Sequence, residues 1–310
     1  MELIASINSA INGVVWGPPM LILLVGTGIL LTCRTAGVQV RKFGYAMKNT
    51  LGKIFQKTDA AEGEITPFQA VTTALAATVG TGNIAGITAA VTLGGPGSIF
   101  WLWVTALIGM CTKYSEVLLA IKYREKNQYG DWVGGPMYYI RNGLGKKWNW
   151  LAVLFSLLGC LAAFGIGNMT QVNTIAGSIN NAIDAFGGNT AATSFTMFGQ
   201  VVPASSIVIG GVVAFIVALT LFGGLKRIGS VTERMVPVMA AIYIICGLSV
   251  VFTNIGSIGK IFGMIFKGAF SAEAALGGAF GITLMTTIQK GVGRGVFSNE
   301  AGLGSAPIAH

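Results

Sequence analysis

Apolar runs of about 20 residues alternate with short polar and basic segments along the chain. A helix of that length crosses the roughly 30 Å hydrocarbon layer of a bilayer. The pattern predicts seven spans, at residues 13–33, 66–93, 97–122, 149–176, 205–224, 231–253 and 272–293, the last the least cleanly bounded. A tight GGPG turn, Gly94 to Gly97, divides the second from the third. In the connection from 34 to 65, the segment VRKFGYAMKNTLGKIF sets basic residues beside Val40, Phe43, Leu51, Ile54 and Phe55. That mixture predicts a helix lying on the membrane surface.

Charge sorts the connections into two sides. The 34–65 loop carries Arg34, Arg41, Lys42, Lys48, Lys53 and Lys57, and the 122–148 loop carries Lys122, Arg124, Lys126, Arg141, Lys146 and Lys147. The turn before the sixth span adds Lys226, Arg227 and Arg234, and the end of the seventh adds Lys290 and Arg294. With alternating spans all of these fall on one side, and only Lys260 and Lys267 fall on the other. The positive-inside rule makes the basic side cytoplasmic and puts the N-terminus outside.

Composition agrees. Charged residues are 10% of the chain and hydrophobic ones 53%, with a mean hydropathy of +0.71. A soluble domain carries about 25% charged residues. The net charge of +9 lies in the loops, so it orients the chain and does not mark a nucleic-acid surface. Cys33, Cys111, Cys160 and Cys246 are scattered through apolar segments and suggest neither a disulfide framework nor a metal site. The only histidine is the last residue, His310, which weakens most enzyme readings. Glu2 and the lack of an early basic residue argue that the first span is not a cleaved leader.

The second span contains Thr78-Val79-Gly80-Thr81-Gly82-Asn83 at its centre. Each glycine there costs about 1 kcal/mol relative to alanine in a helix. One reading is a close-packed helix contact of small residues. The other is an unwound point, where free N–H groups take an anion and free carbonyls take a cation. A second glycine cluster, Gly277-Gly278-Ala279-Phe280-Gly281, interrupts the seventh span and carries the same two readings. Polar amides in the fourth span, Asn168, Gln171 and Asn173, face the protein interior, as interhelical ties or as ligand contacts. Lys113 and Glu116 stand at i and i+3 in the cytoplasmic half of the third span, placed to pair as a structural or gate brace.

Five segments in order carry a resemblance: TALAATVGTGNIAGI, GGPGSIFWLWVTALIGMCTKYSEVLLAIKYRE, GGPMYYI, GIGNMTQVNTIA and RGVFSNEAGLGSAP. Together they resemble the alanine/glycine:cation symporter family. The resemblance implies an all-α polytopic membrane protein with a leucine-transporter-like inverted-repeat bundle, in one transmembrane domain over 1–310. Residues 13–33 would be an extra first helix and 66–253 a first five-helix repeat. Residues 272–310 would open a second repeat, incomplete here. It implies further that the N–H groups at Gly80, Thr81 and Gly82 hold the substrate carboxylate. Thr78 carbonyl and the Asn83 side chain would serve one sodium, and the carbonyls of Ala76 and Val79 a second. Gly277, Gly278, Phe280 and Gly281 would adjoin the substrate side chain, and Gln171 would touch the substrate.

The expected activity is sodium-coupled, or proton-coupled, uptake of alanine, glycine or a similar small amino acid across a bacterial or archaeal inner membrane. The expected partners are that amino acid, sodium and the lipid bilayer, with no nucleic acid and no cofactor beyond the coupling ion. A passive channel and an incomplete, non-transporting fragment are the rival readings. An intramembrane enzyme is more distant, since only Lys113 and Glu116 offer acid–base groups within the spans.

Overall fold

In a computed structural model, residues 2–50, 67–197, 200–270 and 284–309 are described. They form α1 (Glu2–Val15), α2 (Pro18–Arg34), α3 (Val38–Arg41), α4 (Phe43–Thr50), α5 (Pro67–Thr78), α6 (Thr81–Gly94), α7 (Gly97–Lys122) and α8 (Pro136–Leu144). Then follow α9 (Asn149–Phe164), α10 (Thr170–Ala185), α11 (Ala204–Leu221), α12 (Gly224–Thr253), α13 (Ile258–Phe270), α14 (Leu284–Asn299) and α15 (Ala306–Ala309). Two short hairpins, Glu125–Lys126 with Trp132–Val133 and Ser194–Met197 with Gln200–Pro203, decorate the loops.

Among the described residues, five helical stretches are long and apolar enough to cross a membrane: Ser6–Arg34, Gly97–Lys122, Lys146–Phe164, Ala204–Leu221 and Arg227–Thr253. The shorter apolar helix Gly82–Gly94 adds to them. None of the residues of α11 is buried, and Val208 and Phe215 are 67% and 65% exposed. Such continuous apolar exposure is untenable in water and ordinary against lipid. The chain is a polytopic helical membrane protein.

Sequence punctuation sets several ends. Pro18 occupies the first turn of α2, where its missing N–H costs nothing. Gly95, in a positive-φ conformation (φ 72°), closes α6 and turns the chain straight into α7. The third and fifth spans agree with expectation. The first is longer and bent. The helix α1 precedes α2, and the chain breaks at Trp16-Gly17, before the Pro18-Pro19 pair. The fourth is interrupted by a π turn over Gly165–Met169 and runs on to Ala185. The sixth starts at Gly224, taking in the basic turn. Part of the expected surface helix appears as α3 and α4, with Val40, Phe43 and Tyr45 exposed; its remainder lies outside the described residues.

The core is a sheaf of glycine-mediated contacts around α7. A methyl on Gly97 would run into the backbone of Gly268 in α13, and Trp101 donates its indole N–H to Ala269 carbonyl at 3.0 Å. Phe100, Trp101, Phe266 and Phe270 pack edge to face at that end. A Cβ at Gly291 would stand 2.7 Å from Trp101 Cβ, and one at Gly295 would stand 2.8 Å from Thr105 Cβ, so α14 lies against α7 and runs the same way. Helix α6 lies against the other side of α14 and runs opposite to it, with Gly94, Gly86 and Gly82 beside Lys290, Arg294 and Phe297 in turn.

This packing corrects one expectation. Lys290 sits beside Gly94, at the end of α6 remote from the basic loops, so Lys290 and Arg294 do not belong with the cytoplasmic charges. Helix α14 reaches Asn299, six residues beyond the expected end of its span, and only its deeper end approaches the level of Lys113. The basic loops at 34–50 and 122–148 keep the asymmetry intact.

Candidate functional site

The interruption in the second span is a break in the helix. The ladder runs through Val79 N–H to Leu75 carbonyl (2.7 Å) and resumes with Asn83 N–H to Gly80 carbonyl (3.0 Å). Gly80 between them is extended, with φ −136° and ψ −161°. Thr81 and Gly82 head α6, and N–H groups in a first helical turn have no intrahelical acceptor. The last carbonyls of α5 are equally without an intrahelical donor. The break therefore sets the positive end of one helix dipole beside the negative end of another. The Asn83 side-chain amide donates across the gap to Thr78 carbonyl, and Thr78 hydroxyl bonds back to Ala74 carbonyl at 2.5 Å. Ala76, Thr78, Val79, Gly80, Thr81, Gly82 and Asn83 are thus drawn together at one break.

A second interruption lies directly opposite. Helix α14 ends at Asn299, and α15 starts only at Ala306. Between them Glu300 (φ 50°), Gly302 (φ 90°) and Gly304 (φ 76°) take left-handed conformations. A left-handed glutamate is uncommon and marks a held backbone. A Cβ on Gly82 would lie 3.6 Å from Phe297 Cε1, and one on Gly109 would lie 3.2 Å from Ala301 Cβ. Because α6 and α14 are antiparallel, the residues before Gly82 and those after Phe297 come to the same level. The short α15 then packs against α5. Each broken pair supplies one half-helix on each side of the gap.

The two breaks differ in what serves their polar ends. At the second, α7 provides two charges, and Glu300 within the break is a third, its carboxylate accepting from the Ser305 hydroxyl at 2.8 Å. Lys113 Nζ donates to Asn299 carbonyl (3.1 Å), and Glu116 carboxylate accepts from Gly302 N–H (3.2 Å). Lys113 and Glu116 do not pair at salt-bridge distance; Lys113 holds the last residue of α14 and Glu116 holds Gly302 within the interruption. At the first break the peptide groups, the Thr78 hydroxyl and Asn83 are joined by the Arg294 guanidinium, whose Nη1 would lie 4.0 Å from a Cβ on Gly82. The donor and acceptor ends of that break are the ones suited to an anion and a cation.

Gln171 stands just after the π turn of Gly165–Met169, half-buried, on a helix that touches α6. Single π turns inside α-helices are frequently found at functional sites. The cluster Gly277, Gly278, Phe280 and Gly281 lies outside the described residues. Sequence reasoning did not pick out Phe297, Glu300, Gly302 or Gly304. The signal available was the AGLGS run, which reads as a simple end of span until its tertiary level is known. Two other motif segments converge here: a Cβ on Gly304 would meet Pro136 Cγ at 2.8 Å, and one on Gly135 would meet Ile308 Cγ1 at 2.9 Å. The GGPMYYI and AGLGSAP segments are packed on each other.

Residues 1–310 match the family described as Sodium:alanine symporter family. The chain is 47% identical over 314 residues to the Sodium/alanine symporter AgcS of Methanococcus maripaludis, covering 100% of this chain and 63% of that protein. It is 45% identical over 307 residues to an uncharacterized transporter of Haemophilus influenzae, covering 99% and 62%. It is also 36% identical over 310 residues to a probable sodium/glutamine symporter, GlnT, of Bacillus subtilis, covering 99% and 58%. The chain thus spans less than two thirds of the length of these relatives. The match runs through every element of the site, and the relatives are transporters and not enzymes. This chain belongs to the Sodium:alanine symporter family of sodium-coupled amino-acid symporters.

Proposed function

We propose that this chain carries the binding region of a symporter that couples sodium entry to uptake of alanine, glycine or a similarly small amino acid. The observation that carries the proposal is the facing pair of helix breaks, Val79-Gly80 and Glu300 to Ser305. Discontinuous helices crossing at mid-membrane are how transporters offer dipole ends to a zwitterion and an ion together. In this reading the N–H groups of Gly80, Thr81 and Gly82 take the carboxylate. Thr78 carbonyl and the Asn83 side chain take one sodium, and the carbonyls of Ala76 and Val79 a second. Gln171 contacts the substrate, and Gly277, Gly278, Phe280 and Gly281 adjoin its side chain. Phe297, packed on Gly82, narrows the site and supports a small substrate.

The opposed directions of α5–α6 and α14–α15 support a leucine-transporter-like arrangement. Residues 66–253 form the first repeat after the extra helix at 13–33, and 272–310 open an inverted second one. The basic loops support an external N-terminus in the cytoplasmic membrane of a bacterium or archaeon. The test is uptake of labelled alanine by the full-length protein in proteoliposomes. Uptake is expected to require an inward sodium gradient and to be suppressed by excess glycine. Equal flux without the gradient would favour a passive pore.

A further inference from the structure

A cavity of about 690 Å³ lies between α1, α6 and α14, on the side of the break remote from the basic loops. Lys290 and Arg294 both line it, at i and i+4 on one face of α14. The other polar lining comes from Ser9 and Asn12 of α1 and from Gln289. No aspartate or glutamate lines it, and among the described residues neither cation has a carboxylate partner. Like charges one turn apart repel. Cations within membrane segments are costly, and they are retained where they serve a ligand or ion path.

The arginine is held in place. Its guanidinium lies on Gly86, where any side chain would collide with it, and over the ring of Phe297 at 5.1 Å. A guanidinium fixed in this way offers its planar fork to a carboxylate. Phe297 lines the cavity and also packs on Gly82, and Arg294 Nη1 would lie 4.0 Å from a Cβ there, so the ring and the guanidinium together stand between the cavity and the first break. The volume exceeds what a small amino acid fills, which suits an open antechamber.

We propose that this cavity is a second binding site, for the carboxylate of a small amino acid or other small monocarboxylate. Arg294 is its bidentate partner, Lys290 a second positive charge, and Phe297, with Arg294, the partition from the helix break. That the occupant goes on to the break rests on the symporter reading; binding in the cavity does not.

The experiment is equilibrium binding of labelled propionate, a carboxylate without an amino group, to the purified full-length protein. Wild type is expected to bind it with or without sodium. Arg294→Gln is expected to weaken binding at least tenfold, with Arg294→Lys intermediate. Gly86→Ala keeps the charge but displaces the guanidinium, so it is expected to weaken binding too, and it decides the matter should Arg294→Gln not fold. Asn83→Ala, at the break but not in the cavity lining, is expected to leave propionate bound while weakening sodium-dependent alanine binding. No propionate binding by wild type, or binding indifferent to Arg294→Gln and Gly86→Ala, overturns the cavity site. Loss of the sodium–alanine arm alone overturns the symporter reading and leaves this one standing.

Discussion

The ammonium of Lys113 donates to the carbonyl of Asn299 across 3.1 Å and so caps the end of α14 with positive charge. One turn along the same helix, Glu116 accepts from Gly302 N–H. A single face of α7 therefore fixes the backbone where the second break begins and again at Gly302 within it. The expected i, i+3 pair is instead a clamp on a neighbouring chain segment.

Removing the Lys113 ammonium leaves the partly buried Asn299 carbonyl without its donor, whereas Glu116→Gln keeps an acceptor for the exposed Gly302 N–H and removes only its charge. Hydrogen bonds to charged groups are worth about 1.5–3 kcal/mol. Lys113→Met is expected to destabilise by about that amount and Glu116→Gln by less, both lowering uptake, read as a fall in thermal midpoint in detergent and in initial rate. The double variant is expected to lose less than the sum, because both residues hold one segment. Strict additivity would show that they act independently.

Asn83 ties the first break together by donating to Thr78 carbonyl. Asn83→Ala removes that tie and one proposed sodium ligand at once. The sodium concentration for half-maximal uptake is expected to rise about tenfold, the equivalent of about 1.4 kcal/mol. An unchanged sodium activation curve would take Asn83 out of the ion site.

Glycines in this fold divide into two kinds. Gly97 abuts the backbone of Gly268, whereas a methyl on Gly211 in α11 would meet nothing within 4 Å. Gly97→Ala is expected to destabilise by about 1–3 kcal/mol through overpacking that a backbone cannot relieve. Gly211→Ala is expected to stabilise by about 0.5–1 kcal/mol, since alanine restricts the unfolded chain and favours helix. Thermal midpoints of the two variants should move in opposite directions.

Tyr139, in α8 outside the spans, has its phenol pushed up to about 12, by burial first and by Glu116 carboxylate second. A folded-state value above the ordinary one of 10.0 means that the neutral phenol contributes stability that is complete below pH 10 and is lost as pH rises toward 12. The ultraviolet difference between wild type and Tyr139→Phe should show one tyrosine ionising above the normal range. Ionisation of that tyrosine near pH 10 would place it in water.

Much of the bundle was legible in the chain because hydropathy runs and glycine breaks are local signals. The span at 97–122 read directly, and the break at Gly80 was one of two readings its glycines left open. The helix α1 did not, because Ser6, Asn8, Ser9 and Asn12 interrupt its apolar residues every turn. The π turn at Gly165–Met169 leaves hydropathy unchanged and so leaves no trace in an apolar pattern. The second break was invisible for another reason. SNEAGLGSAP is polar and glycine-rich, as an ordinary loop is, and only its level beside Gly82 and Gly109 makes it part of a site. The side of Lys290 was misjudged because an end of span was drawn at residue 293, whereas the helix continues to Asn299.

The central claim is that sodium and a small amino acid share the site between the two breaks. It is tested most directly by equilibrium binding of labelled alanine to the full-length protein across a range of sodium concentrations. Sharing predicts a tight alanine component that strengthens as sodium rises and is lost in Gly82→Leu. By reciprocity, alanine must tighten sodium binding by the same factor. Alanine binding that is the same in sodium and in choline would contradict the account.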